Sequence, residues 1–263
     1  MVLTIDIGNS NVVIGCIDTD NRVTALFRMV TDLKKTEDEY ASGMKAILEF
    51  NSVDRHDFEG AIICSVVPPL TEIFRTAVEK IIGCKALVVG AGVKTGLNVQ
   101  IENPASLGSD IVAASVAAMV EYPLPVIVID MGTATTITVV DKGNRYIGGA
   151  IVPGVALSMN ALSSGTSLLQ KVPIEAPKKS ICTTTTESMQ SGAVYGNAAL
   201  LDGMIARFEK ELGCEATVVA TGGIADKILP YCTKKIVYDE NLLLKGLNII
   251  YKKNKKNEEK RLG

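Results

Sequence analysis

Two short segments combine a carboxylate, a glycine and small polar side chains in a form that suits phosphate chemistry. Asp6-Ile7-Gly8-Asn9-Ser10-Asn11 and Asp130-Met131-Gly132-Thr133-Ala134-Thr135 each follow a run of β-branched and apolar residues. A tight turn of this kind aims backbone N–H groups at phosphate oxygens, and its Asp can hold a hydrated Mg²⁺ or another cation. Either copy alone reads equally well as a plain hairpin turn; two matched copies favour the ligand reading. A third segment, Thr221-Gly222-Gly223, follows the apolar run Val218–Ala220. Its glycines would let a flat base or ribose lie against bare backbone, or would simply make a strand-to-helix turn. Gly148-Gly149 through Pro153-Gly154 leaves a similar choice between a ligand contact and a strand with a close neighbour. Finally, Asn103-Pro104 through Gly108-Ser109-Asp110 opens the Ala-rich stretch Ile111–Val120. Asp110 there either stabilises a helix N-terminus or is offered to a substrate hydroxyl as a general base.

Composition narrows the chemistry. The 263 residues carry 27 Lys and Arg against 29 Asp and Glu, and 47% are hydrophobic. That is enough apolar material for a large core and excludes general disorder. Balanced charge, no Trp and only five Phe argue against nucleic acid as a partner. The single histidine, His56, makes Ser-His-Asp catalysis and His-based metal sites poor expectations. Acid–base work falls to carboxylates. Six cysteines without a C-x-x-C pair predict reduced packing residues. No basic leader precedes the first apolar run, and no apolar run is long enough to cross a bilayer, so a cytoplasmic protein without a membrane partner is expected.

The elements that must position these residues follow from periodicity. Strands are expected at Val2–Ile7, Asn11–Asp18, Arg22–Met29, Gly60–Val67 and Ala86–Val89. Helices are expected at Tyr40–Phe50, behind the capping box Thr36-x-x-Glu39, and at Leu70–Ile82. The pattern then restarts. Ile5-Asp6 through Asn21-Arg22 and Ile129-Asp130 through Asn144-Arg145 both read I-D-x-G, small polar residues, an apolar strand and a turn ending in Asn-Arg. Two duplicated α/β halves are expected, 1–122 and 123–263, facing each other across a cleft. In the second, Tyr146–Val152 is a strand and Val155–Leu162 a helix. The polar run Ser163–Thr186 is expected to be a loop and Glu187–Leu212 one long helix. A last helix, Asn241–Tyr251, is expected to give way to a disordered basic tail from about residue 252.

Together these motifs resemble the acetate kinase/sugar kinase/Hsp70/actin superfamily, whose domains are ribonuclease H-like, and within it the type III pantothenate kinases. Further motifs carry the likeness along nearly the whole chain: Ser65-Val-Val-Pro-Pro69, Lys94-Thr-Gly-Leu-Asn98, Glu102-Asn-Pro104, Met189-Gln-Ser-Gly192 and Leu244-Lys-Gly-Leu247. The resemblance implies ATP-dependent phosphorylation of pantothenate to 4′-phosphopantothenate, the first step of coenzyme A synthesis. It implies that Asp6, Ile7, Gly8, Asn9, Ser10, Asn11, Val12 and Val13 cradle ATP phosphates and that Thr133 contacts ATP, with Gly222 and Gly223 also at the nucleotide. Asp130 is implied as ligand of a monovalent cation, K⁺ or NH₄⁺, beside Mg²⁺ for which Asp6 is the candidate. The family motif Gly-Ala-Asp-Arg falls on Gly108, Ser109, Asp110 and Ile111, which makes Asp110 the general base; Thr185 falls on an acceptor contact. Two positions depart from the pattern: Ile111 stands for the Arg and Ile101 for a Tyr, both normally at pantothenate. This leaves open a related kinase with another acceptor alcohol, or a non-catalytic regulatory homologue. The family also implies a homodimer. Met189, Val194, Leu200, Leu201, Met204, Ile205 and Phe208 give the expected long helix broad apolar coverage, which suits either a deep core or a partner.

Overall fold

A computed structural model describes residues 1–262, with side chains to 256. The chain forms two compact units. The first comprises Met1–Leu97, Glu102–Val120 and the chain from Asn241 on; the second comprises Asn98–Ile101 and Glu121–Glu240.

In the first unit, strands β1 (Val2–Ile7), β2 (Asn11–Ile17), β3 (Val23–Val30), β4 (Gly60–Ser65) and β5 (Ala86–Val88) form a sheet of order β3-β2-β1-β4-β5. β1 to β3 are antiparallel, and β4 and β5 run parallel to β1. Period-two alternation divides the side chains between two faces. Leu3, Ile5, Ile7, Ala61 and Ile63 meet α1 (Glu37–Phe50) and α2 (Pro68–Ile82) through Tyr40, Met44, Leu70 and Phe74. Thr36 caps α1 with the expected capping box. The unit also contains α3 (Ser109–Glu121) and α8 (Leu242–Leu262). An added Cβ at Gly246 would sit 1.9 Å from the Ala113 carbonyl oxygen, so α8 lies directly on the α3 backbone.

The second unit repeats this plan. β7 (Val126–Met131), β8 (Ala134–Val140), β9 (Arg145–Pro153), β10 (Thr217–Thr221) and β11 (Val237–Tyr238) stand in the order β11-β10-β7-β8-β9, with β6 (Asn98–Val99) added at the β9 edge. Helices α4 (Val155–Gly165), α5 (Thr185–Ser191), α6 (Asn197–Leu212) and α7 (Ala225–Ile228) supply the core against Ile127, Ile129, Ile137, Val139 and Val218.

The duplication extends to small irregularities. Asp6 pairs with Val13 as Asp130 pairs with Thr136, and the sheet register slips at Cys16/Ile17 and again at Val139/Val140. Asp18 accepts the N–H groups of Asp20 and Arg22; Asp141 accepts those of Gly143 and Arg145. Asn21 and Asn144 both adopt positive φ, 65° and 58°, a conformation that Asn tolerates better than most residues. The Asn-Arg ending shared by the two segments is thus the signature of one turn used twice.

Three expectations change. The single boundary after residue 122 differs from the division found, because α8 returns to the first unit and 98–101 joins the second. The basic tail from 252 is not disordered but continues α8 to Leu262. Three of its described polar side chains have partners: Lys252 donates to the Thr19 carbonyl at 2.7 Å, Asn254 exchanges hydrogen bonds with the Lys94 backbone, and Lys255 pairs with Glu59. The long helix 187–212 is broken by a π-helical turn, Gly192–Gly196, and its first turn starts earlier, at Thr185. Thr184 caps that turn by accepting the Glu187 N–H. The run between α4 and α5 is a loop as expected, but a tethered one. Gln190, Ser191 and Tyr195 donate to the carbonyls of Pro173, Ser180 and Pro177.

Candidate active site

In the first unit the Asp6 turn is built from the β1–β2 hairpin. The Gly8 N–H donates to the Asn11 carbonyl at 3.0 Å, and an added Cβ at Gly8 would stand 3.0 Å from that same oxygen. Thr31, which the sequence reading missed, closes the turn from outside. Its hydroxyl donates to the Gly8 carbonyl at 2.6 Å and its N–H to the Ser10 carbonyl at 3.2 Å. With those carbonyls engaged, Asn9, Ser10 and Asn11 remain exposed at the tip, as an anion cradle requires.

Asp6 itself stands at the end of β1, beside Cys64 of β4 in parallel register. The Cys64 thiol donates to Asp6 Oδ1 at 3.1 Å. Burial pushes the Asp6 carboxyl up to about 6; the Cys64 hydrogen bond opposes this and the negative charge of Asp110 adds to it. Both carboxylates belong to the first unit. Cys64 is fully buried, and burial followed by the Asp6 charge holds its thiol well above the ordinary value, so it remains a donor. Asp110 lies in the first turn of α3, with Oδ1 accepting the Ile111 N–H at 2.8 Å. This contact serves the helix end, and a second carboxylate oxygen remains for a substrate, so both expectations for Asp110 fit one geometry. Ser109 is tied to Ser65, accepting its N–H and donating to its carbonyl, both at 3.1 Å.

The raised Asp6 pKa has a sign that can be tested. The folded state holds this proton more tightly than the unfolded state, so stability falls as pH rises from about 4 to about 6, and the deficit persists above that. Asp6→Asn removes the deficit. The nucleotide-free variant should be more stable than the parent at pH 8, on the order of 1–2 kcal/mol for a carboxyl still partly open to solvent, and equal to it below pH 4. Parallel thermal-melting profiles across pH 3.5–8 would contradict this.

In the second unit the Asp130 turn is enclosed by glycine backbone. The Gly154 N–H donates to the Thr133 carbonyl at 3.1 Å, and a Cβ on Gly154 would meet that oxygen at 2.3 Å. Gly222, at φ +99°, lies against Met131 so closely that a Cβ would stand 2.6 Å from its N and O atoms. Asp130, Thr133, Gly154 and Gly222 are thus brought together, while Gly223 has open space around its α-carbon. Gly149 serves the alternative foreseen for it: its α-carbon abuts the Ile137 carbonyl of the neighbouring strand. Thr185 lines a separate cavity of about 410 Å³, largely apolar, with Val155, Met159, Leu169, Met189 and Asn197. Ile111 and Ile101 are both half-buried.

The donor set fits a nucleotide with its cations better than a protein-caged metal. Among the described residues no three His, Cys, Asp or Glu side chains converge on one point. Mg²⁺ commonly takes one or two carboxylates and completes its shell with phosphates and water, and Asp6, raised by burial, is a carboxylate that a cation would discharge. All six cysteines are free thiols, and no helix among the described residues is long and apolar enough to cross a membrane.

A family model described as type III pantothenate kinase matches residues 2–207. A type III pantothenate kinase of Exiguobacterium sp. is 40% identical over 256 residues, covering 97% of this chain and all of the relative. One from Brevibacillus brevis is 41% identical over 254 residues, covering 97% and 99%. Among solved structures, a ROK family glucokinase of Streptomyces griseus, in complex with glucose and AMPPNP, superposes with a TM-score of 0.54 at 14% identity, covering 94% of this chain and 97% of its own. That likeness concerns the fold, and agrees with two ribonuclease H-like domains.

Proposed function

The chain belongs to the type III pantothenate kinase family, and on that premise we propose that it transfers the γ-phosphoryl group of ATP to the primary hydroxyl of pantothenate. The observation that carries the reading is that two adjacent β4 residues hold both carboxylates to one end of the strand: Cys64 touches Asp6, and Ser65 is bonded to Ser109, which precedes Asp110. Phosphoryl transfer asks for positioning and charge neutralisation more than for covalent help. The turn at Gly8–Asn11 would hold phosphate oxygens on backbone N–H groups. Asp110 would take the acceptor hydroxyl's proton as that oxygen attacks phosphorus. Thr133, Gly222 and Gly223 would lie at the nucleotide, and Gly108, Ser109 and Ile111 near the acceptor. The Thr185 cavity, lined by apolar groups and a few hydroxyls, has the character of a small-molecule pocket. Mg²⁺ at Asp6 would, when bound, offset phosphate charge. Reduced cysteines and the use of ATP suit a cytoplasmic enzyme.

Asp130 is assigned to a monovalent cation. The rate should be higher in K⁺ or NH₄⁺ than in Na⁺, and Asp130→Ala should abolish that preference; equal rates of the parent in K⁺ and Na⁺ would remove the assignment.

Ile111 and Ile101 favour a second reading, a kinase of this family with a less acidic acceptor. Loss of a charge-assisted pair with a carboxylate is worth about 1.5–3 kcal/mol. ATP turnover over a panel of small alcohols decides: activity on pantothenate supports the first reading, activity elsewhere the second, and none at all a regulatory homologue.

A homodimer is also proposed. The seven apolar residues of 187–212 do not support it, since all of them pack into or against the second unit's own core. Support comes from a different surface, where Ile147 and Ile151 of β9 and Leu157 of α4 are exposed, Ile151 by 71%. A second subunit could bring to the acceptor pocket the cation missing at Ile111. Light scattering at micromolar concentration should give twice the mass of one chain. A monomer that still phosphorylates its acceptor would sink both ideas.

A further inference from the structure

The end of β4 carries two contacts that the catalytic reading does not use. Cys64 donates to Asp6 at 3.1 Å, and the next residue, Ser65, exchanges two hydrogen bonds with the Ser109 hydroxyl, which neighbours Asp110. The second contact has a clear origin. In a parallel sheet the N–H and carbonyl of one residue point to the same side. β5 ends at Val88, and the last ladder bond on that side runs from the Val89 N–H to the Ile63 carbonyl. Ser65, two residues on, turns its N–H and carbonyl to the same side, beyond the end of β5. The Ser109 hydroxyl takes the place of the missing strand, accepting from one group and donating to the other, since one hydroxyl oxygen can do both. α3 is thereby fastened at its first residue to the strand that also holds Asp6.

We propose that Cys64 and Ser109 are positioning residues, which use the end of β4 as a common ruler to fix the Asp6 carboxylate and the Asp110 carboxylate relative to each other. The proposal rests on the phosphoryl-transfer reading above, with Asp110 as base. Cys64 touches Asp6 only as a neutral donor, and Ser109 acts through the backbone of α3. Misplacing a reacting group by a fraction of an ångström lowers the rate more than it lowers substrate binding.

The test uses the full-length enzyme and its best acceptor. Ser109→Ala should lower kcat about tenfold, with KM for ATP and for acceptor within about twofold, and Ser109→Thr, which keeps the hydroxyl, should recover most of the loss. Cys64→Ala should behave like Ser109→Ala, and Cys64→Ser, which keeps a donor, like the parent. A purely structural defect would also lower the melting temperature, so the deciding variant is Ser109→Ala combined with Asp110→Asn. If Ser109 works through Asp110, the double variant should be no slower than Asp110→Asn alone, whereas independent damage would multiply. Multiplying losses, or a Ser109→Ala variant with parental kcat, overturn the proposal. If Asp110→Asn itself leaves kcat unchanged, the base assignment falls first, and the positioning role with it. If Asp110→Asn is severely slow and Ser109→Ala is not, the base stands and only the ruler is lost.

Discussion

Replacing Asp110 by Asn should lower kcat by about 100-fold or more and leave the KM for ATP nearly unchanged, the range that loss of a general base gives. Asn is the informative substitution because it separates the observed helix-end contact from the proposed role as base. The Ile111 N–H is accepted by Oδ1, and an Asn oxygen can still accept it, if less strongly, so the start of α3 should persist. What Asn cannot do is take up a proton. A variant with the parental melting temperature and a collapsed rate identifies the base. A near-normal rate identifies a helix-end residue, and places the base elsewhere. The variant also removes the charge that adds to the raised pKa of Asp6, so any residual activity should keep its level to slightly lower pH than the parent's does.

The second large effect is expected far from the reacting groups. Gly246→Ala places a methyl group 1.9 Å from the Ala113 oxygen and 2.6 Å from its carbonyl carbon. Both obstacles are backbone within a helix, so no side chain can swing aside; α8 must lift from α3 or the helices must bend. Overpacking of this kind costs about 3 kcal/mol or more, a fall in melting temperature on the order of 10 °C for a chain of this size. The rate should fall as well, because α3 carries Asp110. Gly203→Ala, in α6 with nothing near its α-carbon, is the control. There the same methyl group should stabilise by about 0.5–1 kcal/mol through helix propensity. Equal melting temperatures for the two variants would show that α8 yields where it meets α3.

What the sequence disclosed was local chemistry. The strand–turn–strand units around Asp6 and Asp130 were legible because each is specified within about 18 residues: an apolar strand, a glycine turn, and an Asp whose side chain ties its own loop before an Asn of positive φ. The capping box at Thr36 was legible for the same reason. The equivalent Thr184-x-x-Glu187 pattern was present too, and would have moved the start of α5 out of the supposed loop. Elements that depend on distant partners stayed hidden. Lys252, Asn254 and Lys255 look like a solvated charge run until Thr19, Lys94 and Glu59 are placed beside them. Ser109 looks like an ordinary residue at a helix start, because nothing in the chain's local pattern shows that β5 stops short of Ser65. Gly246 belonged to a recognisable motif with no evident cause; its cause is a helix crossing that only the fold reveals.

The return of α8 to the first unit also sets an order of events as the chain leaves the ribosome. Domains generally fold in the order of their synthesis, yet here the unit that starts first finishes last. Residues 121–240 emerge as one continuous stretch and, with the short strand β6 already made, hold every strand and helix of the second unit. The β1–β5 sheet meanwhile waits for residues 242 onward, with Gly15, which will meet Leu244, and the α3 backbone at Ala113 still uncovered. A chain cut before residue 241 therefore contains the whole second unit and an unfinished first one. The turn at Asp6 becomes part of a closed unit only once the residues from Asn241 on are in place.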